Sequence, residues 1–207
     1  MSFKSEIGGA LRSIKSKIFK YKVLSRYPQL KTALSIESHV TPEERFELFR
    51  LSKNKNRILE IGSYLGCSAA CFGAMMFRQG KGKVFCIDTW KNDAMTEGAK
   101  DTYKEFMENT KEFSQFIVQV RGFSTDVVSD IRKQTPELDL LFIDGDHSYE
   151  GAKNDWDAYK NFLRPGAVVV FHDYGWAEGV KRVIEENVKP LTSGYNSLPN
   201  MWWGTIR

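Results

Sequence analysis

The chain has 207 residues, a formal net charge of +4 and an ordinary globular composition. That length predicts one domain with a sizeable core. No apolar run approaches the ~20 residues of a membrane span, and the N-terminus lacks the apolar block of a secretory signal. The charge is divided unevenly: residues 1–57 hold 13 Lys/Arg against 5 Asp/Glu, and residues 58–207 hold 17 against 21. The basic character thus belongs to the N-terminal segment, which argues against a nucleic-acid groove across the body of the fold. Cys67, Cys71 and Cys86 form no CxxC pair and read as buried thiols of a reducing, cytoplasmic compartment.

Residues 3–26 carry Ile7, Leu11, Ile14, Ile18 and Tyr21 at helical spacing, with Lys4, Arg12, Lys15, Lys22 and Arg26 along one flank. Gly8-Gly9 weakens the start of this helix. Residues 1–30 therefore read as a basic amphipathic extension to a domain over 31–207. Its stripe suits packing on its own domain, a partner in a homo-oligomer, or an anionic membrane at the inner face. Thr41-Pro-Glu-Glu predicts a capped helix start, running to about Ser52. His39 reads as a surface or capping residue.

Arg57–Ile61 is a buried strand with Glu60 near its end, and Gly62-Ser-Tyr-Leu-Gly66 turns it into a helix from Ser68. Val84–Ile87 is a second strand, ending at Asp88. Residues 91–112 are polar, loosely helical and long enough to include a cover. Phe116–Val120 is a third strand, Ser124–Lys133 a helix, and Leu138–Ile143 a fourth strand ending at Asp144. Tyr149–Leu163 is a helix with Arg164-Pro-Gly as its exit turn. Ala167–Phe171 is a fifth strand ending in His172-Asp173. Ala177–Val188 is a helix, and a short strand lies near Met201–Ile206. Strand–helix alternation predicts an α/β fold with a parallel sheet and right-handed crossovers.

Four strands thus end in Glu60, Asp88, Asp144 and His172-Asp173. Open α/β sheets bind ligands beyond the carboxyl ends of their strands, so these groups should converge on one crevice. Tyr64 stands where a dinucleotide fingerprint needs its middle glycine, which disfavours close approach of a pyrophosphate. A phosphate-free ligand with an amine near Glu60 fits better. Asp88 is placed to accept from both hydroxyls of a ribose. Trp90 and Phe123 are candidates to cover an adenine, or core residues.

EIGSYLG, CIDTW, LLFIDGDHSYEGAKND and RPGAVVVFHDY together resemble the class I S-adenosylmethionine-dependent methyltransferases. More narrowly, the sequence resembles the small-molecule and sugar O-methyltransferase group, which includes the macrolide sugar methyltransferases and the cephalosporin-hydroxylase-like proteins. It covers about residues 40–206 and implies a Rossmann-like sandwich with a mostly parallel seven-stranded sheet and an antiparallel C-terminal strand. It implies that Glu60 and Gly62, in the loop that also holds Ser63, Tyr64 and Ser68, bind the methionine end of the cofactor. Asp88, beside Thr89 and Trp90, binds the ribose, and Phe123 and Ser124 border the adenine. Asp144 then serves cofactor, catalysis and metal together, and His147 is the base.

Metal-dependent relatives carry an acid at position 172; His172 beside Asp173 departs from that pattern. With Asp144, these residues suit magnesium or manganese, a softer ion, or no ion. Asp146 reads as structural, and Glu150, Lys153 and Asp155 as a solvated helix face. The implied activity is O-methylation of a small hydroxylated acceptor, most simply a sugar. A cofactor-binding scaffold and a nicotinamide oxidoreductase are the alternatives. Residues 91–115 and 190–202 are the candidate acceptor-selecting segments.

Overall fold

The computed structural model describes residues 16–91, 98 and 100–207. Helix α1 (residues 16–26) leads into α2 (Lys31–Ser35) and α3 (Pro42–Leu51). Then come β1 (Arg57–Ile61), α4 (Cys67–Gln79), β2 (Lys83–Asp88), α5 (Tyr103–Thr110) and β3 (Ile117–Arg121). After α6 (Val128–Gln134) follow β4 (Leu138–Ile143), α7 (Tyr149–Tyr159) and β5 (Leu163–His172). The chain closes with α8 (Glu178–Val183), β6 (Thr192–Leu198) and β7 (Met201–Ile206).

The strands form one seven-stranded sheet in the order β3-β2-β1-β4-β5-β7-β6. The first five are mutually parallel, and β7 runs antiparallel to both β5 and β6. Residue alternation sends Ile58, Val84, Leu140 and Val168 into the core on one side, with α1 to α5. Leu59, Phe85, Leu141 and Val169 face the other side, with α6, α7 and α8. Both faces are covered, as the continuous apolar strands require.

The start of α3 follows its sequence. Thr41 accepts from the Glu44 backbone N–H, and Glu44 accepts from the Thr41 N–H at 2.8 Å. This reciprocal pair satisfies two orphan donors of the first turn. Several other boundaries move. The helix expected from Ser124 begins at Val128, and α7 ends at Tyr159 rather than Leu163. Arg164-Pro-Gly, read as an exit turn, is the exposed first half of β5. Residues Ile184–Val188 form a π turn after α8. Strand β6 escapes the sequence pattern because five of its seven residues are exposed on a sheet edge and polar or small in all but Tyr195. Of the segment read as a cover, residues 92–97 and 99 lie outside the described residues. Its helix α5 packs Phe106 and Thr110 against the start of α4.

Helix α1 turns a different face inward from the one its stripe suggested. Phe19 and Leu24 pack against the core, Val23 is buried, and Phe19 meets Phe46 edge-on at 6.0 Å. Ile18 and Tyr21 point out, 50% and 76% exposed. Two apolar lines run along this helix, and the aromatic surface of α3 selects the one with Phe19. Val23 of the extension and Leu30 share one apolar cluster with α4. Ile7, Leu11 and Ile14 fall outside the described residues.

Candidate active site

The strand order reverses between β1 and β4, so the chain leaves these neighbours toward opposite sides and opens a crevice at their carboxyl ends. A cavity of about 1010 Å³ fills it. Gly62, Ser63, Tyr64, Ser68, Asp88 and Thr89 line one part of the wall. Phe123, Ser124, Asp144, His147, His172 and Asp173 line the rest. Residues more than a hundred positions apart thus meet over one rim.

Two expected members stand back from it. The Trp90 indole is fully buried against Tyr103 and Phe106, with ring centroids 5.1 and 4.9 Å away. It is a core residue, and only its backbone N–H serves the site. Glu60 is also fully buried and lies beneath the cavity wall. The residue alternation of β1 aims its carboxylate at α4, where the Ser63 hydroxyl donates to Oε2 at 2.6 Å. Burial pushes the Glu60 carboxyl up to about 7. Its Oε1 has no hydrogen bond among the described residues. Glu60 therefore reaches the cavity through Ser63 rather than directly.

The glycine loop is held from both sides. Gly62 donates to the Ile87 carbonyl at 3.0 Å, and Asp144 N–H donates to the Ile61 carbonyl at 2.9 Å. Gly62 has φ +84°, and a Cβ there would lie 2.0 Å from the Asp144 carbonyl oxygen. Only glycine lets the two loops touch. Gly62→Ala is expected to cost roughly 3 kcal/mol from left-handed backbone and overpacking together. A thermal melt should show a midpoint lower by about 6–12 °C. An unchanged midpoint would show that the loops separate freely.

Asp88 organises this loop. Its Oδ2 accepts from the Ser63 and Tyr64 backbone N–H groups, both at 2.8 Å. Its Oδ1 accepts from Trp90 N–H at 2.6 Å. The carboxylate still borders the cavity, with about one lone pair left on Oδ1. Tyr64, Trp90 and Asp173 hold φ of 43°, 51° and 58°. Three bulky or charged residues in left-handed backbone, all at the strand ends, mark strain gathered at one site.

The far end of the cavity is a cluster of acids and imidazoles. Asp144 and Asp173 both approach one nitrogen of His172, whose Nδ1 lies 3.2 Å from Asp144 Oδ1 and 3.3 Å from Asp173 Oδ1. Its Nε2 is 3.5 Å from Glu44, an ion-pair distance rather than a hydrogen bond. Burial pulls the His172 pKa down, but Asp144, Asp173 and Glu44 overcome it and raise it far above the ordinary imidazole value. Carboxylates thus stand against both ring nitrogens of His172. Burial raises Asp173 too, yet bonds from His147 and His172 hold it well below the usual carboxylate range. Burial lifts the Asp144 carboxyl above its ordinary value.

His147 Nε2 lies 2.8 Å from Asp173 Oδ2. That bond raises the His147 pKa against the opposing effect of burial. Asp173 also accepts from Trp176 Nε1 at 2.8 Å and from Asn200 Nδ2 at 3.0 Å. Asp144, His147 and Asp173 each offer a ligand atom, all within 4.8 Å of one another. Two carboxylates and an imidazole suit a divalent ion such as manganese or magnesium. His172, also expected as a ligand, turns its Nδ1 toward both acids, 3.2 and 3.3 Å away.

Other wall residues were misread or missed. Asp155 is buried rather than solvated; it accepts from the Ser124 hydroxyl, and burial pushes it up to about 6. His39 stands in the cavity wall, not on a remote surface. Trp176 and Asn200 carried no local signal. Asn200 arrives through the β6–β7 turn, and the pairing that places it is invisible in a polar edge strand.

A mostly parallel seven-stranded sheet, with a cavity at its switch point and an antiparallel β7, is the Rossmann-like methyltransferase fold. Residues 59–174 match the family model described as a methyltransferase domain, and the chain belongs to that family. It is 31% identical over 119 residues to the uncharacterized protein y4gI of Sinorhizobium fredii. The match takes in 56% of this chain and only 13% of that relative's length. Among solved structures it is similar to CalS11, a TDP-rhamnose 3'-O-methyltransferase of calicheamicin biosynthesis. The TM-score is 0.62 at 16% identity, over 89% of this chain and 93% of that one. It is also similar to the MycE methyltransferase of the mycinamycin pathway, solved with Mg, S-adenosylhomocysteine and mycinamycin VI. Here the TM-score is 0.54 at 17% identity, over 89% of this chain and 53% of that one. At these identities the two structures show a shared fold.

Proposed function

We propose that the chain moves a methyl group from S-adenosylmethionine to a hydroxyl of a small acceptor, a sugar of a glycan or natural product. The observation that carries this reading is a single cavity running from Asp88 and the Gly62 loop to the His147–Asp173 pair. Its size accommodates donor and acceptor together. Family membership supports methyl transfer, CalS11 supports a sugar hydroxyl, and MycE supports the donor's product and a divalent ion.

In this reading Asp88 accepts from the ribose hydroxyls. Phe123, 59% exposed at the cavity wall, lies over the adenine, with Ser124 at its edge. Gly62, Ser63 and Ser68 border the methionine end. Asp144, raised by burial, gains a cationic partner in the donor's amine. At the other end, Trp176 is pinned by its bond to Asp173 and sits edge-on to His147, centroids 5.0 Å apart. Its exposed face offers a flat apolar platform for the C–H face of a sugar ring.

His147 gives its Nε2–H to Asp173 and keeps Nδ1 as the proton acceptor. As the acceptor oxygen bonds to the methyl carbon and the S–C bond breaks, its proton passes to Nδ1. Asp173 stabilises the imidazolium so formed, the role an acid plays behind a histidine base. A divalent ion held by Asp144 and Asp173 would lower the pKa of the hydroxyl and leave His147 free to act as base. Positioning in line can supply about 7–11 kcal/mol in favourable cases.

Mass spectrometry of nucleotide sugars and methyl glycosides incubated with S-adenosylmethionine tests the proposal. The expected product has gained one methyl group. A chelator-treated arm separates proton removal by His147 from activation by an ion. Binding of S-adenosylhomocysteine with no methylated product across the panel would leave the scaffold reading in its place. Preference for NADH over S-adenosylhomocysteine would replace both.

A further inference from the structure

The outward face of α1 is the largest feature that the methyl-transfer reading leaves unused. Phe19, Val23 and Leu24 dock the helix on the domain, while Ile18 and Tyr21 stand in solvent one turn apart. Lys17 and Lys22 flank that pair, and Arg26 follows on the next turn. None of the three meets a carboxylate among the described residues. Residues 7–36 contain no Asp or Glu at all.

The tertiary fold adds to this face. Arg78, from the last turn of α4, lies 5.4 Å from the Tyr27 ring centroid, and Arg26 lies 5.5 Å from the same centroid. Two guanidinium groups share one ring, with no acid to neutralise either among the described residues. Other surface cations sit beside acids, as in Arg57 with Glu137, Lys160 with Asp157 and Arg182 with Glu186. The α1 face gathers four cations with no acid among them and so carries a positive field that attracts an external anion.

We propose that this face docks the protein on the anionic surface of a lipid bilayer, with Ile18 and Tyr21 entering the headgroup layer. Charge complementarity and the apolar pair together select that occupant. A helix with cations beside an aliphatic and an aromatic side chain suits the water–lipid boundary. Tyrosine places its ring among the headgroups and its hydroxyl in water. A second copy fits poorly, because a two-fold contact would press the same unpaired cations together. The sequence repeats the spacing upstream in Ile14, Leu11 and Ile7. Among the described residues no helix is long and apolar enough to cross a membrane, so the contact is peripheral.

Sedimentation of the full chain with sucrose-loaded vesicles tests this independently of methyl transfer. Vesicles of phosphatidylglycerol and phosphatidylcholine should carry the protein down, and pure phosphatidylcholine should not. Lys17→Glu, Lys22→Glu and Arg78→Glu combined should lower the partition coefficient by about a hundredfold or more. Ile18→Asp with Tyr21→Asp should remove the part of binding that survives high salt. All these positions are on the surface, and an unchanged thermal shift with S-adenosylhomocysteine would show that each variant is folded. A full chain that stays in the supernatant with anionic vesicles would overturn the proposal. So would a triple variant that binds as the native chain does, or a short RNA that displaces the protein from vesicles at equal charge concentration.

Discussion

Replacing His147 with alanine is expected to lower the turnover number by about 10²- to 10⁴-fold, the range a positioned base supplies. The dissociation constant for S-adenosylhomocysteine should barely change, because the imidazole stands at the acceptor end of the cavity. The native pH profile adds a second test. A base must be neutral to accept a proton, so the rate should rise with pH through the His147 pKa. The bond to Asp173 places that limb above the ordinary value of 6.5. In His147→Ala the limb should vanish along with most of the rate. Equal losses of turnover and cofactor binding would defeat the assignment of His147 as base and return it to a structural role at the cavity wall.

Asp88→Asn is expected to act on the opposite half of the site, weakening S-adenosylhomocysteine binding by about tenfold to a hundredfold. A charge-assisted hydrogen bond to a ribose hydroxyl contributes about 1.5–3 kcal/mol. The same carboxylate also accepts from the backbone N–H groups of Ser63, Tyr64 and Trp90. An amide can replace only one of its two oxygens as acceptor. Loosening of the loop should therefore accompany the loss of affinity, visible as faster amide exchange at Ser63 and Tyr64. Calorimetry reads the affinity directly. An unchanged dissociation constant would remove the ribose role and leave Asp88 as a loop clamp alone.

The two variants divide the cavity along a line that the fold itself draws. Asp88 ends β2, on one side of the switch point. His147 and Asp173 follow β4 and β5, on the other. In the proposed reading, a donor bound across that line would present its methyl group where the acids and imidazoles gather.

The amino-acid sequence by itself determined the alternating α/β order, the helix start at Thr41, the glycine at position 62 and the polar residues that end β2, β4 and β5. Those features rest on local chemistry: burial of apolar runs, a reciprocal cap, and a backbone angle that excludes a Cβ. It also determined the excess of cations in the first 57 residues. Only the tertiary structure decided that Glu60 lies beneath Ser63, that Trp90 belongs to the core, and that His172 lies among three carboxylates. It alone turned Phe19 inward and left Ile18 outside, and brought Arg78 beside Arg26. Each of these depends on which face of an element meets a partner distant in the chain. Side-chain periodicity names the faces, but the packing of one element on another chooses between them.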